Sequence, residues 1–161
     1  MQNQYMRMAL EQARQAVEKG EVPVGAVVVY QEKVVALAHN LTESLGDPTA
    51  HAEIIAIREA CQKLGQGRLV ECDLYVTLEP CAMCAGAISH ARVRRVIYGA
   101  YDPKGGAVDH GVHFFQAATC LHRPEVVSGI GETEAGELLK FFFLSKRDRR
   151  DRNNKEAVYP G

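Results

Sequence analysis

The 161-residue sequence lacks any apolar run near the roughly 18 residues that a membrane-spanning helix needs. A helical membrane protein is thereby excluded. The opening Met1-Gln2-Asn3-Gln4 is polar and has no export-signal core, so a cytoplasmic location is the expectation. Internal repeats, Pro/Ser/Gly linkers and low-complexity blocks are missing, so the reading is one domain over residues 1–161. The five cysteines are an odd number in a chain with no export signal. That excludes a disulfide framework and leaves thiols, some available to a metal.

What is present is ordinary for a globular fold: 47% apolar and 24% charged residues. A chain of this length can bury enough surface to hold a core unaided. The net charge of −1 hides an asymmetry. Residues 140–155 carry seven Lys/Arg against Asp148 and Asp151, leaving about +5 there and −6 on the rest. A basic helix or tail at about 140–161 suits an anionic polymer. A solvated helix end complementing its own dipole would look the same.

Met6, Leu10, Ala13 and Val17 recur at helical spacing and Gly20 follows as a stop. Val24–Tyr30 and Val34–Ala38 read as strands joined by a turn at Gln31-Glu32-Lys33. Asp47 and Pro48 carry the N-cap and first-turn signals of a second helix whose apolar face is Ile54, Ile57, Cys61 and Leu64, ending at Gly65. A strand over Asp73–Leu78 leads to a helix expected to start at Glu79-Pro80 and run to His90. Val93–Tyr98 is a strand with Gly99 as its stop, and Glu125–Ser128 is a further one. The last helix is predicted from Glu132 to about Arg150, with Leu138, Leu139, Phe142 and Phe143 inward. Residues 100–123 carry no clear pattern. Alternation of this kind implies a mixed sheet covered by helices on both faces, parallel after the opening hairpin.

Two segments carry chemistry: His51-Ala52-Glu53 and Pro80-Cys81-Ala82-Met83-Cys84. Two thiolates three apart at a helix start can grip one ion and gain from the helix dipole. His51 supplies a third ligand, and three protein ligands leave a position for water, as in catalytic zinc sites. Glu53 is then the candidate base. His51 and Glu53 can address one ion only if their helix points its first turn end-on at it. A closed structural site using Cys61, Cys72 or Cys120 as fourth ligand is the competing arrangement. His110 and His113 are three apart but have no third ligand, so a solvent-facing or RNA-adjacent role is expected for them.

His-Ala-Glu followed by Pro-Cys-x-x-Cys resembles the signature of the zinc-dependent nucleobase deaminases. The flanking runs Glu21–Ala26, Asp47–Ile54 and Leu74–Ala87 look like the bacterial tRNA-specific adenosine deaminase family, and the similarity covers roughly residues 5–150. The resemblance implies a cytidine deaminase-like α/β fold, a three-layer α/β/α sandwich with a five-stranded mixed sheet. It implies one zinc ion per subunit on His51, Cys81 and Cys84, with Glu53 as the unligated proton carrier. The implied reaction is hydrolysis of adenosine to inosine at the wobble position of a tRNA anticodon loop, by a homodimer, with no DNA substrate and no membrane.

Residue by residue, the resemblance matches Asn40 to the amide that holds the purine and Val24 to the apolar wall beside it. It matches Asp102 to the carboxylate near the ribose hydroxyl, a group that tells RNA from DNA. Phe143 is matched to a stacking ring, and Lys146 and Arg147 would neutralise phosphates with Arg149 and Arg150. Leu144 and Leu121 depart from the family's RNA-contacting residues, and Gln116–Arg123 aligns only at His122 and Arg123. Two other functions remain open at this point: a deaminase of a free base or nucleoside such as guanine, and a non-catalytic RNA-binding module with structural zinc. The basic C-terminal helix argues against the first, and Glu53 against the second.

Overall fold

A computed structural model describes residues 3–158, with side chains to 155. Met1, Gln2 and the end of the basic tail, 159–161, lie outside the described residues. The elements run α1 (Gln4–Glu18), β1 (Gly25–Tyr30), β2 (Lys33–His39), α2 (Thr42–Leu45), α3 (Ala52–Leu64), β3 (Cys72–Leu78), α4 (Ala82–His90), β4 (Arg95–Ala100), β5 (Glu125–Val127) and α5 (Glu132–Val158). The strands form one sheet in the order β2-β1-β3-β4-β5. The β2-β1-β3 pairings are antiparallel, and β3-β4-β5 are parallel. The expected five-stranded mixed sheet with a leading hairpin is therefore the one found.

Alternation along the strands builds two cores. Val27, Val29, Tyr75 and Ile97 face one way and pack with Met6, Ala9 and Leu10 of α1 and Ala135 of α5. Ala26, Val28, Leu74, Val76, Val96 and Tyr98 face the other way and meet α3 and α4. On α3 the fully buried positions are Ala52, Ala56 and Ala60, which seat that helix close to the sheet. Ile57, Cys61 and Leu64, read as its inner face, are only partly buried beside them. Gly25 serves the same end across the sheet. A Cβ there would stand 1.9 Å from the Ala9 carbonyl oxygen and 2.7 Å from the Ala13 nitrogen, so α1 rests directly on the β1 backbone.

Several boundaries differ from the sequence reading, and among them α5 runs on to Val158, past the expected end at about Arg150. Asp47-Pro48 does not open a helix. The Asp47 carboxylate accepts from the Thr49 amide (2.8 Å) and hydroxyl (2.7 Å), an Asx turn, and α3 begins only after His51. The short α2 was not foreseen. Its N-terminal amides, at Glu43 and Ser44, donate to the fully buried Glu21 carboxylate (3.0 and 2.8 Å). Glu79-Pro80 is likewise outside its helix: the Pro80 carbonyl accepts from Ala107 (2.9 Å), and α4 starts after Cys81. Gly99 lies inside β4 and does not stop it. A side chain there would meet the Thr77 carbonyl oxygen at 2.7 Å and the Ala135 Cβ at 3.3 Å, so the glycine lets α5 pass close by.

At the far end from those loops, Asp73 accepts a two-pronged hydrogen bond from Arg94 (3.0 and 3.0 Å) and one from Arg95 (2.9 Å). Burial alone would raise the Asp73 carboxyl, but the two guanidiniums outweigh it and hold it below the usual carboxylate range. Gly25→Ala is expected to lower stability by about 2–3 kcal/mol, the scale of overpacking a core. Urea unfolding of the two chains side by side checks this, and an unshifted midpoint would contradict the packing.

Candidate active site

Strand register gathers the site. Gly25 pairs with His39, Ala26 with Val76, and Leu78 with Ala100. The start of β1 and the ends of β2, β3 and β4 therefore share one edge of the sheet. Val24, Asn40, Glu79 and Asp102 lie just beyond those paired residues. The N-termini of α3 and α4 arrive at the same place and bring together His51, Cys81 and Cys84, a group that could hold a metal ion.

His51 is the N-cap of α3 (φ −71°, ψ 153°) and Cys81 the N-cap of α4 (φ −75°, ψ 176°). Neither side chain caps its own helix. Ser, Thr, Asp or Asn at these positions would bond a free amide and contribute about 1 kcal/mol each. Giving the positions to His and Cys forgoes that bond and leaves their lone pairs aimed outward. Cys84 sits in the first turn of α4, buried. The expected pairing of Cys81 and Cys84 on one helix face becomes an N-cap and a first-turn residue, which brings the sulfurs to one point ahead of the helix.

His51 Nδ1 lies 3.6 Å from the Cys81 sulfur and 3.5 Å from the Cys84 sulfur. A tetrahedral ion with metal–sulfur bonds of about 2.3 Å and metal–nitrogen bonds of about 2.05 Å holds sulfur and nitrogen roughly 3.6 Å apart. The donor set therefore fits a metal ion without rearrangement. All three ligand atoms lie within 4.8 Å of one another, and among the described residues they are the one such cluster. Cys61, Cys72 and Cys120 are free thiols outside it, so no fourth cysteine closes the site. Cys120 instead bonds the His122 carbonyl (3.1 Å). His110 and His113 form no second cluster.

Electrostatics split the two thiols. Cys81 accepts from the Cys84 thiol and from His51, which hold it down to about 4. Cys84, the donor, is pushed up, and His51 is raised chiefly by its bond to Cys81. A thiolate is thus already favoured where a cation would bind. Glu53, in the first turn of α3, is 4% exposed. Burial lifts its carboxyl above the usual range, and the nearby Cys81 thiolate works in the same direction. Its oxygens are not part of the ligand cluster, so it faces the centre without completing it.

Around this group is a cavity of about 330 Å³ lined by Val24, Asn40, His51, Glu53, Cys81 and Asp102, with Val22, Thr42, Leu78 and Gly105. Asn40 is 6% exposed, and its Nδ2 reaches the Thr42 hydroxyl at 3.4 Å. Asp102 forms the turn that Asp-Pro suggests, its Oδ1 accepting from Lys104 (3.2 Å) and Gly105 (3.0 Å), while also walling the cavity. Phe143 is 49% exposed, not inward; Phe142, at 6%, fills the core position. Phe143, Lys146 and Arg147 lie farther out and do not touch the cavity. They line a groove of about 890 Å³ with Lys104 and Arg150. The groove and the cavity share Val22, Leu78, Asp102 and Gly105. Val22, Thr42 and Leu78 were not anticipated; their one signal is adjacency to Val24, Asn40 and Glu79.

The model of the MafB19-like deaminase family matches residues 1–147. A tRNA-specific adenosine deaminase from Agrobacterium fabrum (strain C58) is 58% identical over 143 residues, 89% of this chain and 94% of that protein. The chain belongs to the tRNA-specific adenosine deaminase family. A second member, from Bacillus subtilis (strain 168), is 48% identical over 152 residues, covering 93% and 94% of the two chains. Among solved structures, a tRNA:A34 deaminase studied for A-to-I editing at the wobble position of transfer RNA superimposes with a TM-score of 0.83 at 58% identity, over 84% of this chain and 98% of that one. The residues matched by the family model, 1–147, include the His51, Cys81 and Cys84 group and the lining of the cavity.

Cys84→Ser is expected to cost the site more than about 100-fold in metal affinity, beyond the 10–100-fold typical of outer-shell partners. Metal analysis after dialysis against a weak chelator reads this. Retention of a full equivalent would remove Cys84 from the ligand set.

Proposed function

We propose that this chain hydrolyses adenosine to inosine at the wobble position of a tRNA anticodon loop, with one zinc ion per subunit held by His51, Cys81 and Cys84. The carrying observation is the union of a base-sized cavity with a basic groove. The cavity is at the small end of ligand sites, large enough for one nucleobase. The groove sets Lys104, Lys146, Arg147 and Arg150 against Asp102, with Phe143 exposed among them. An enzyme for a free base has no use for four cations at its mouth; a nucleotide inside a strand does. The anticodon loop is single-stranded at this base, so turning it out costs only a few kcal/mol.

His51, Cys81 and Cys84 would hold the zinc, and the chemistry it would supply there is Lewis acidity that makes the attacking water easier to deprotonate. Every remaining step falls to the chain. Glu53, buried and unligated, takes one proton from the attacking water and gives it to N1 of the purine, then takes the second from the new C6 hydroxyl and gives it to the departing amine as the C6–N bond breaks and the carbonyl forms. Adenosine and water thereby become inosine and ammonia. The raised Glu53 carboxyl suits a group that must both accept and release a proton near neutrality. Asn40 can donate to and accept from a purine edge at once, and Val24 covers the ring. Asp102 accepts from the ribose 2′-hydroxyl, which selects RNA over DNA. Phe143 stacks on a flanking base, and Lys146 and Arg147 hold phosphates. The working unit is a homodimer in the cytoplasm, a reading that rests on the family resemblance, and sedimentation of the purified chain tests the dimer.

Incubation with total tRNA followed by nucleoside analysis is expected to yield inosine, with free guanine, cytidine and adenosine left unchanged. Turnover of guanine alone would replace this reading. Glu53→Ala is expected to keep one zinc per chain and lose turnover by at least about 100-fold, the lower range for a proton-transfer group; loss of metal would make Glu53 a ligand. Ending the chain after Ser145 is expected to weaken tRNA binding and flatten its salt dependence. Equal affinity at several salt concentrations would take the basic helix out of the contact. Asp102→Asn is expected to narrow the preference for RNA over DNA in a competition assay.

A further inference from the structure

Glu79 is fully buried just past the end of β3, and among the described residues no lysine or arginine pairs with it. Its carboxylate is satisfied by one loop. Oε1 accepts from the Asp102 amide (3.0 Å) and from His110 Nδ1 (2.8 Å). Oε2 accepts from the amides of Val108 (3.2 Å), Asp109 (3.0 Å) and His110 (3.1 Å). Five donors from residues 102–110 thus converge on one side chain, and the loop closes around it. Gly106 completes the enclosure: a Cβ there would stand 2.5 Å from the Glu79 carboxyl carbon and 2.5 Å from the Asp102 carbonyl oxygen. The loop is also tied from outside, where the Tyr98 hydroxyl donates to Asp109.

The placement matters because this loop joins the cavity to the groove. Asp102 and Gly105 belong to both, and Lys104 to the groove. A buried carboxylate surrounded by amides is costly to disturb, since each amide it releases loses its partner away from water. Glu79 also lies in the cavity's lining, but its side chain is fully enclosed and its carboxylate oxygens are taken up by the loop, so it acts through the residues that meet a substrate.

We propose that Glu79 is a positioning residue whose carboxylate fixes the 102–110 loop and thereby sets Asp102 against the sugar of the target nucleotide. The assignment rests on the proposed RNA reading for its consequence and on the loop geometry for its cause, and the two are tested apart. Hydrogen exchange on the unaltered holoenzyme tests the cause: the amides of residues 102, 108, 109 and 110 are expected to exchange as slowly as those of β3. Fast exchange there would overturn the proposal whatever the substrate. Inosine formation by the unaltered chain tests the RNA reading separately.

The consequence is read with Glu79→Gln, which keeps the size but replaces one acceptor oxygen with a donor. It is expected to retain one zinc per chain, to lose protection at those four amides, and to lose about 100-fold in kcat/KM on an anticodon stem-loop, the scale of a 1 Å misplacement. Its preference for adenosine over 2′-deoxyadenosine at the target position is expected to shrink to that of Asp102→Asn. Adding Asp102→Asn to Glu79→Gln is expected to reduce that preference no further, as two residues acting through one contact do. An unchanged sugar preference, or fully additive losses, would make Glu79 a merely structural residue. Loss of zinc would place its action on Cys81 instead and equally overturn the proposal. Glu79→Asp, which keeps the charge and shortens the reach, is expected to restore part of the sugar preference; it serves if the glutamine variant fails to fold.

Discussion

Two helix N-termini pointed at one spot, each with its cap position given to a metal ligand, are the constraint that organises this molecule. Neither His51 nor Cys81 satisfies an amide of its own helix. Both stay where they are because α3 and α4 are held from behind, by Ala52, Ala56 and Ala60 against the sheet and by Ala85 and Ile88 in the same core. The sheet must therefore be assembled before the three ligand atoms can meet. Sequence spacing alone would leave 30 residues between His51 and Cys81, and the antiparallel pairing of β1 with both β2 and β3 removes that distance by setting the ends of β2 and β3 at one edge.

The charges are arranged in layers outward from that point. Closest in are a favoured thiolate, an imidazole and a buried acid. Next come neutral and acceptor groups, Asn40 and Asp102, on the cavity wall. The cations appear only beyond, along α5 and at Lys104. A strand carrying phosphates is thus drawn toward the rim, while among the described residues no lysine or arginine lines the cavity itself.

Much of this was legible in the sequence. The hairpin, the parallel strands that follow it and the ligand cluster follow from alternation and from residue types that have few other reasons to occur together, whereas the order β2-β1-β3-β4-β5 came only with the structure. Boundaries were less legible. Asp47-Pro48 carries every signal of a helix start, but the Asp47 carboxylate is engaged by Thr49, and the helix waits for His51. Gly99 reads as a stop, yet its reason is the nearness of Ala135, a contact 36 residues away that local pattern cannot register. Phe142 and Phe143 are identical in type and adjacent; only the way α5 lies on the rest of the fold decides that one is buried and the other exposed. Glu79 was hidden for a different reason. An acid before a proline suggests a helix start, and nothing local announces that its partners are amides 23–31 residues onward.

Residues 146–155 of α5 are exposed on every described side. At 1.5 Å per residue, this stretch runs roughly 15 Å, and it meets the body through Lys146, Arg147 and Arg150 along the groove. Its composition is therefore uncoupled from the requirement to fold. Replacing one arginine there, or moving it a turn, leaves both cores as they are, while altering which polyanion is gripped and at what ionic strength. The molecule is in this respect two inheritable parts on one chain, a chemical centre that tolerates almost no change and a handle that can drift, so descendants could acquire new targets long before they acquired new chemistry.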